Sequence, residues 1–246
     1  MVHGLGSFAE WFKDYEKNYV IIGGTACDLL MTDAGDSFRA TKDIDIVIVS
    51  EELDSAFGAH LWDYINSAGY EHRSSSKDRP IFYRFSNPKK SDYPVMIELF
   101  SRRAPGFILP DDAILTPLTI DDYISSLSAI LLDDEYYNFL KSGVVLVDGV
   151  PVLDAPYMIP FKAKAWLDLT KKKASGGQAD SRDIKKHKND ICRLMGLLTP
   201  EINIKLPEKI RSDLQLYLDS VGEERIEIDR MKTTYMLSTS GTGKND

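Results

Sequence analysis

The stretch KDIDIVIV at residues 42–49 decides the fold. Its polar and apolar residues alternate, which predicts a β-strand with Asp43 and Asp45 on one face and isoleucines on the other. Two like charges this close destabilise each other unless a cation holds them, and carboxylate oxygens are the ligands that Mg²⁺ prefers. Valines continue the face of the aspartates, so a buried strand with a metal site is favoured over a solvated edge strand.

The segment that precedes this strand predicts a binding site for an anion. YVII at residues 19–22 is typical of a short buried strand, and TACDLLM at 25–31 of the helix that follows it. Gly23 and Gly24 lie at the turn between them, where glycine lets a ligand approach the backbone and the N–H groups of the helix start favour a phosphate. An ordinary tight turn is the simpler interpretation of the two glycines alone, and the aspartate pair on the next strand is what favours the anion site.

A second apolar run, VMIELF at residues 95–100, predicts another strand and carries a single acid, Glu98. A buried glutamate without a partner is costly, so a metal ion or a basic side chain is expected beside it. Together with the aspartate pair, Glu98 is the candidate third ligand of a metal site. Without that pair it would be interpreted as half of a structural salt bridge.

The remaining pattern divides the chain into an α/β part and a helical part. We expect a helix over 51–68, an extended run IFYRF at 81–85 after a polar loop, a helix over 120–140 and a hairpin at GVVLVDGVPVL. Further helices are predicted over 157–173, 180–198 and 207–220. The predicted domains are residues 1–154 and 155–236, with a disordered tail at 237–246.

Composition excludes several classes of protein. The chain has 246 residues, 30 Lys+Arg and 38 Asp+Glu, for a net charge of −8, so an overall basic nucleic-acid binder is not expected. Residues 162–193 nevertheless contain ten Lys/Arg and four Asp, a local charge of +6. Two distant cysteines argue against a disulfide scaffold or a zinc site. With no secretory signal and no apolar span of about 20 residues, we expect a cytoplasmic protein that does not enter a membrane.

Two lysines of the predicted helix over 157–173 are candidate ligands of a phosphate. A helical wheel places Lys162 inside the apolar stripe and Lys164 at its flank. A lysine in an apolar stripe needs a partner: it either extends its ammonium group to solvent or pairs with an acid, and a phosphate is the competing partner that the resemblance described below implies.

The helix predicted over 180–198 carries a second polar constellation. Asp183, Lys186, His187 and Asp190 fall on one stripe of it. An intrahelical ladder of salt bridges is the simpler interpretation, and a contribution to a ligand site is the alternative.

These motifs together resemble the nucleotidyltransferase superfamily with a polymerase-β-like palm, and more narrowly its AbiEii-like toxin branch. The resemblance rests on GGTA at 23–26, on R-x-T-x-D-I-D from Arg39 through Thr41 to Asp45, and on the later strand acid Glu98. It covers roughly residues 19–200. It implies an α+β fold, in which a mixed sheet with flanking helices is followed by a C-terminal helical bundle.

The resemblance also implies roles for the candidate residues. Two Mg²⁺ ions, or Mn²⁺, are expected on the carboxylates, and a nucleoside triphosphate on the glycine turn, on Arg39 and on a lysine of the helical part. Lys186 and Asp190 match a motif of the branch that completes the site across a cleft. The implied sets are Asp43, Asp45 and Glu98 for metal; Gly23, Gly24, Thr25, Arg39 and Lys164 for nucleotide; and Asp43, Asp45, Glu98, Lys162, Lys186 and Asp190 for catalysis.

The function expected from this resemblance is transfer of a nucleoside monophosphate to a hydroxyl of RNA, such as tRNA, or of a protein. The chain is then the toxin of a pair, with a cognate antitoxin protein as partner. The third acid of the superfamily is most often Asp, so Glu98 departs from the pattern. Two alternatives stay open: a catalytically silent module of the same fold that binds nucleotides or proteins, and a two-metal phosphodiesterase.

Overall fold

The computed structural model describes residues 2–52, 54–74, 82–100, 116–117, 130–131, 133–177, 179–221 and 227–237. Its strands form one sheet in the order β6-β3-β4-β5-β2-β1-β8-β7. They are β1 Tyr19–Ile22, β2 Asp43–Ile48, β3 Glu71–Ser74, β4 Phe82–Ser86, β5 Met96–Phe100, β6 Thr116–Pro117, β7 Val144–Val147 and β8 Val150–Leu153. The helices are α1 Leu5–Trp11, α2 Gly23–Asp33, α3 Ser55–Ala68, α4 Asp134–Ser142, α5 Ala155–Ala174, α6 Ser181–Leu194, α7 Glu208–Val221 and α8 Glu227–Thr234.

Strand β2 lies at the centre of this mixed sheet, as the alternation in its sequence predicts. It pairs with β1 in antiparallel and with β5 in parallel orientation. Every residue of β2 is buried except the half-buried Asp43 at its start. A strand covered on both faces tolerates acids only where they have partners, which makes the surroundings of Asp43 and Asp45 informative.

The fold is α+β, with a mixed sheet, flanking helices and a helical C-terminal part, which confirms the predicted architecture. The hairpin of β7 and β8 is confirmed as well: Asp148 and Gly149 both have positive φ, at 50° and 78°, as a type I′ turn requires. Helices α5, α6 and α7 correspond to the three predicted over 157–220. No helix within the described ranges has both the length and the apolar character to cross a membrane.

Four elements differ from their predicted form. Helix α2 begins at Gly23 instead of after the glycines, and Glu71–Ser74 forms a strand where the polar sequence suggested the approach to a loop. Helix α4 begins at Asp134 because the Asp133 side chain caps it by accepting from two backbone N–H groups. Helix α8 was not predicted. Most of the N-terminal half of the predicted helix over 120–140 lies outside the described residues, as does the predicted tail from residue 238 onward.

Candidate functional site

The site begins with a row of side chains that runs across three neighbouring strands. Asp45 on β2 is directly opposite Glu98 on β5, and Glu98 is directly opposite Arg84 on β4. Directly opposite residues point to the same face of a sheet, so these three side chains form one lateral row. Asp43, two residues before Asp45, lies on the same face at the end of β2. The register thus brings the three predicted metal ligands to one face of the sheet, near the start of β2.

Arg84 binds the glutamate of this row. Its Nε and one terminal nitrogen lie 2.8 and 2.6 Å from the same oxygen, Oε1 of Glu98. The Glu98 residue is only 4% exposed, while the Arg84 side chain is 20% exposed. Glu98 therefore has the basic partner that a buried acid requires.

The glycine turn packs directly against the second aspartate. Gly23 has φ of 71°, and a Cβ atom on it would lie 1.8 Å from Oδ2 of Asp45. A side chain at this position is excluded both by the backbone conformation and by the carboxylate. The N-terminus of α2 is therefore in contact with the carboxylate row.

The next two residues fix the helix start in place. A Cβ atom on Gly24 would lie 2.8 Å from Oγ1 of Thr41 and 3.3 Å from a guanidinium nitrogen of Arg39. Thr25 is fully buried and its hydroxyl donates to the backbone carbonyl of Asp43 at 2.6 Å. The Thr25 side chain thus joins α2 to the start of β2, and its place in the predicted nucleotide set rests on its backbone N–H.

The electrostatics of the row favour a cation. Burial raises the pKa of Asp45 well above its usual range, and the neighbouring Glu98 raises it further through charge and a shared hydrogen bond. Burial also raises the pKa of Asp43, opposed by the charges of Lys186 and Arg84. Two carboxyls whose ionised forms are disfavoured in the protein alone gain the most from a bound cation.

A second cluster, which we call the Asp190 cluster, joins the loop before β2 to the helices α5 and α6. Arg39 donates to both oxygens of Asp190, from Nε at 3.0 Å and a terminal nitrogen at 3.1 Å. Lys162 on α5 donates to Oδ2 of Asp190 at 2.9 Å. Burial alone would raise the pKa of Asp190, but the charges and hydrogen bonds of Lys162 and Arg39 lower it to about 2.

A small cavity of about 20 Å³, enough for one water molecule, lies between the Asp190 cluster and the glycine turn. Its lining includes Gly23, Lys162 and His187, together with Ile22, Leu153, Met158, Phe161 and Ala165. Burial lowers the pKa of His187 to about 3, and the charges of Lys162 and Lys186 contribute. His187 is therefore neutral at physiological pH.

The two remaining predicted lysines are placed differently. Lys186 lies close enough to Asp43 and Asp45 to lower the pKa of both carboxyls. Lys164 instead binds Asp168 on its own helix at 2.9 Å and approaches Asp213 on α7 to 3.8 Å. The structure thus buries Lys162 and Asp190 in the Asp190 cluster, places Lys186 near the aspartates and leaves Lys164 at an interface between helices.

The carboxylates fit a divalent cation only in part. Asp43, which is half-buried, and Asp45, which is buried, share a face at the start of β2, but Glu98 is held by Arg84. Among the residues that the structure describes, no group of three or more His, Cys, Asp or Glu side chains is arranged to hold a metal ion. Because Arg84 engages Glu98, the predicted set of three ligands for two ions does not fit this arrangement, and the aspartate pair is what is left as a candidate ligand set.

Sequence reasoning missed two residues of the site. Arg84 lies in the polar–apolar alternation of β4, and only the register of β4 against β5 identifies it as the partner of Glu98. His187 was predicted as part of a polar stripe, yet it is buried against the cavity. The amphipathic stripe of α6 placed it correctly on the helix, but it could not reveal which helix packs against that face.

Comparisons with known proteins yield one structural match. No protein-family model matches the chain, and no curated protein matches it. The crystal structure of an antigenic nucleotidyltransferase-like protein from Paracoccidioides brasiliensis is similar over 95% of this chain and 92% of that chain. The two chains are 17% identical, with a TM-score of 0.47.

Proposed function

We propose that this chain binds a nucleoside triphosphate together with Mg²⁺ and transfers its nucleotidyl group to a hydroxyl acceptor. The observation that carries the proposal is the contact between the glycine turn and Asp45. Backbone N–H groups at the start of α2 are an anion site, and the carboxylates beside them are a cation site. A metal–triphosphate complex requires both, side by side.

The charge of each residue determines which part of the metal–triphosphate complex it binds. Gly23 and Gly24 give the phosphates access to the backbone, and Asp43 and Asp45 hold the cation that accompanies them. Lys186, whose charge already reaches both aspartates, is placed to neutralise the phosphates. The cation supplies charge stabilisation for phosphoryl chemistry when bound.

The Asp190 cluster supports the proposal as a positioning device. By binding Arg39, Asp190 ties the loop before β2 to α6, and by binding Lys162 it ties α6 to α5. The sheet with its aspartates and the helices with their basic side chains are thereby held at a fixed distance. A reaction that depends on positioning and electrostatics needs such rigidity.

The acceptor we propose is an RNA hydroxyl, and the biological role is that of a toxin with a cognate antitoxin. The basic residues of 162–193 include exposed side chains at the end of α5 and the start of α6, namely Lys171, Lys172, Lys173, Arg182 and Lys185. Such a surface suits a phosphate backbone. If the role is correct, expression of the chain arrests bacterial growth, whereas expression of Asp43→Asn does not.

The test of the proposal is a binding titration of each of the four ribonucleoside triphosphates, with and without Mg²⁺. Wild type should bind at least one of them only with the metal. Asp43→Asn should lose that binding, while Asp14→Asn, which removes an equal charge from an exposed surface site, should keep it. Binding to Asp43→Asn with wild-type affinity would refute the proposal.

A second candidate function is nucleotide binding without transfer. It is favoured by the Arg84–Glu98 ion pair, because Arg84 compensates the charge of the third carboxylate that transfer would use. Incubation with nucleoside triphosphates labelled at the α-phosphate and with total RNA distinguishes the two functions. Label in RNA supports transfer, and metal-dependent binding without any labelled product supports the second candidate.

A further inference from the structure

We infer that Arg84 replaces one divalent cation, so that this site takes a single ion, on Asp43 and Asp45, instead of two. The inference rests on the proposed function, since it concerns the ion that accompanies the triphosphate. It assigns a specific role to a residue that no sequence motif marks. It also reverses the role predicted for Glu98, which becomes the anchor of Arg84 instead of a metal ligand.

The geometry of Arg84 carries the first step. Two of its N–H groups converge on one oxygen, Oε1 of Glu98, at 2.8 and 2.6 Å. Distances this short are those of charge-assisted hydrogen bonds. An ion bound to that oxygen would have to displace both donors.

The strand register carries the second step. Arg84, Glu98 and Asp45 are directly opposite one another on three paired strands, so the guanidinium is held in the row by the sheet itself. A residue on a flexible loop could leave when a cation arrives, whereas the Cα of Arg84 is fixed beside Glu98. The Arg84 side chain is 20% exposed and Glu98 is nearly fully buried, so the ion pair lies at the boundary between the buried sheet and solvent.

The nature of the charge carries the third step. A guanidinium keeps its proton at every pH at which the protein is folded, so it cannot turn into a neutral neighbour for a metal ion. Arg84 compensates the charge of Glu98, which leaves Asp43 and Asp45, with Lys186 near them, as the carboxylates for one divalent cation. A second divalent cation would be placed beside a fixed positive charge, without a carboxylate of its own.

The experiment counts ions. Mn²⁺ is titrated into the full chain with the α,β-methylene analogue of each of the four triphosphates, and bound Mn²⁺ is measured from its electron paramagnetic resonance. We expect one Mn²⁺ per chain for wild type and for Glu98→Gln, with affinities within about threefold of each other, since about 0.6 kcal/mol separates such values. Asp45→Asn should bind none.

Removing the guanidinium should create the second site. Arg84→Gln should bind two Mn²⁺ ions per chain, and the double variant Arg84→Gln/Glu98→Gln should return to one. Far-UV circular dichroism checks that each variant is folded. If Arg84→Gln does not fold, the comparison of wild type with Glu98→Gln still decides, because a true ligand at Glu98 would lower the affinity at least tenfold when neutralised.

Two results would overturn the inference, and they are distinguishable. Two ions on the wild-type chain, or a loss of Mn²⁺ in Glu98→Gln, would refute the role of Arg84 and leave the proposed function intact. No ion and no nucleotide on the wild-type chain would refute both.

Discussion

The carboxylate row on the sheet and the Asp190 cluster are both built from buried acids and basic side chains, yet their electrostatics are opposite. In the Asp190 cluster, two cations donate to one carboxylate and lower its pKa to about 2. In the row, Asp43 and Asp45 have raised pKa values because burial outweighs the positive charge around them. An acid whose charge is compensated by two basic side chains stabilises the fold in its ionised form. An acid with too little positive charge around it is unfavourable in its ionised form unless a cation binds.

The largest expected effect comes from removing the compensated acid. Asp190→Asn leaves Lys162 and Arg39 facing each other without a negative charge, and breaking a buried pair in this way costs about 3–5 kcal/mol of unfolding free energy. Urea unfolding at pH 7, followed by circular dichroism, measures it. The control Asp190→Asn/Lys162→Met removes both buried charges and should recover most of the loss. A cost below about 1 kcal/mol would mean that the two clusters do not differ as described.

The second prediction concerns the effect of low pH on stability, through the neutral His187 beside the Asp190 cluster. Its pKa is lowered to about 3 in the folded protein, from a usual value near 6.5, so the unfolded chain binds the extra proton first as pH falls. The contribution of neutral His187 to the unfolding free energy is complete above pH 6.5. It is lost as pH falls toward 3, at about 1.4 kcal/mol per pH unit. Unfolding free energies measured at pH 6 and pH 5 should show this slope in wild type.

The control for this pH dependence of the unfolding free energy is the variant His187→Gln. Glutamine does not titrate in this range, so the variant should retain only the slope due to all other groups. Equal slopes for the two proteins would show that His187 is protonated in the fold and that the Asp190 cluster tolerates a third positive charge.

The third prediction has the opposite sign from the first. Asp45→Asn should raise the unfolding free energy at pH 7 in the absence of metal, because asparagine carries no charge for the buried site to disfavour. The raised pKa of Asp45 means that its stabilising contribution is present below pH 3.8 and is lost as pH rises through the folded value. Asparagine avoids that loss, and the difference between the two proteins should vanish in acid.

Adding metal is the control for the expected increase in unfolding free energy. Saturating Mg²⁺ and triphosphate should stabilise wild type and not Asp45→Asn, which reverses the order of the two proteins. If Asp45→Asn is destabilised at pH 7 without metal, Asp45 is a structural acid like Asp190.

The sequence was sufficient for the parts of the fold that depend on local pattern. Alternation predicted β2, the Asp-Gly pair predicted the hairpin, and helical periodicity predicted α5, α6 and α7. The pairing of Arg84 with Glu98 depends on which strands are neighbours, and a single sequence does not contain that register. The pairing of Asp190 with Arg39 joins residues 151 positions apart, so helical spacing alone could not reveal it.

Lys164 gives the smallest expected effect and the sharpest limit on the predicted site. Lys162 and Lys164 are two residues apart, so they point to nearly opposite sides of α5. Lys162 reaches Asp190, while Lys164 binds Asp168 and approaches Asp213 at the surface between helices. A partly exposed pair of this kind contributes about 0.5 kcal/mol or less, so Lys164→Ala should unfold almost as wild type does.

Lys164→Ala also tests whether the ligand site is confined to the carboxylate row and the Asp190 cluster. Lys164→Ala should bind metal and triphosphate with wild-type affinity, whereas Lys162→Ala should lose affinity because Asp190 then holds Arg39 alone and α5 is no longer tied to α6 through Lys162. Paired titrations of the two alanine variants measure this. Weaker binding by Lys164→Ala would mean that the nucleotide extends past Lys162 to the far side of α5, and that the ligand site is larger than the two clusters define.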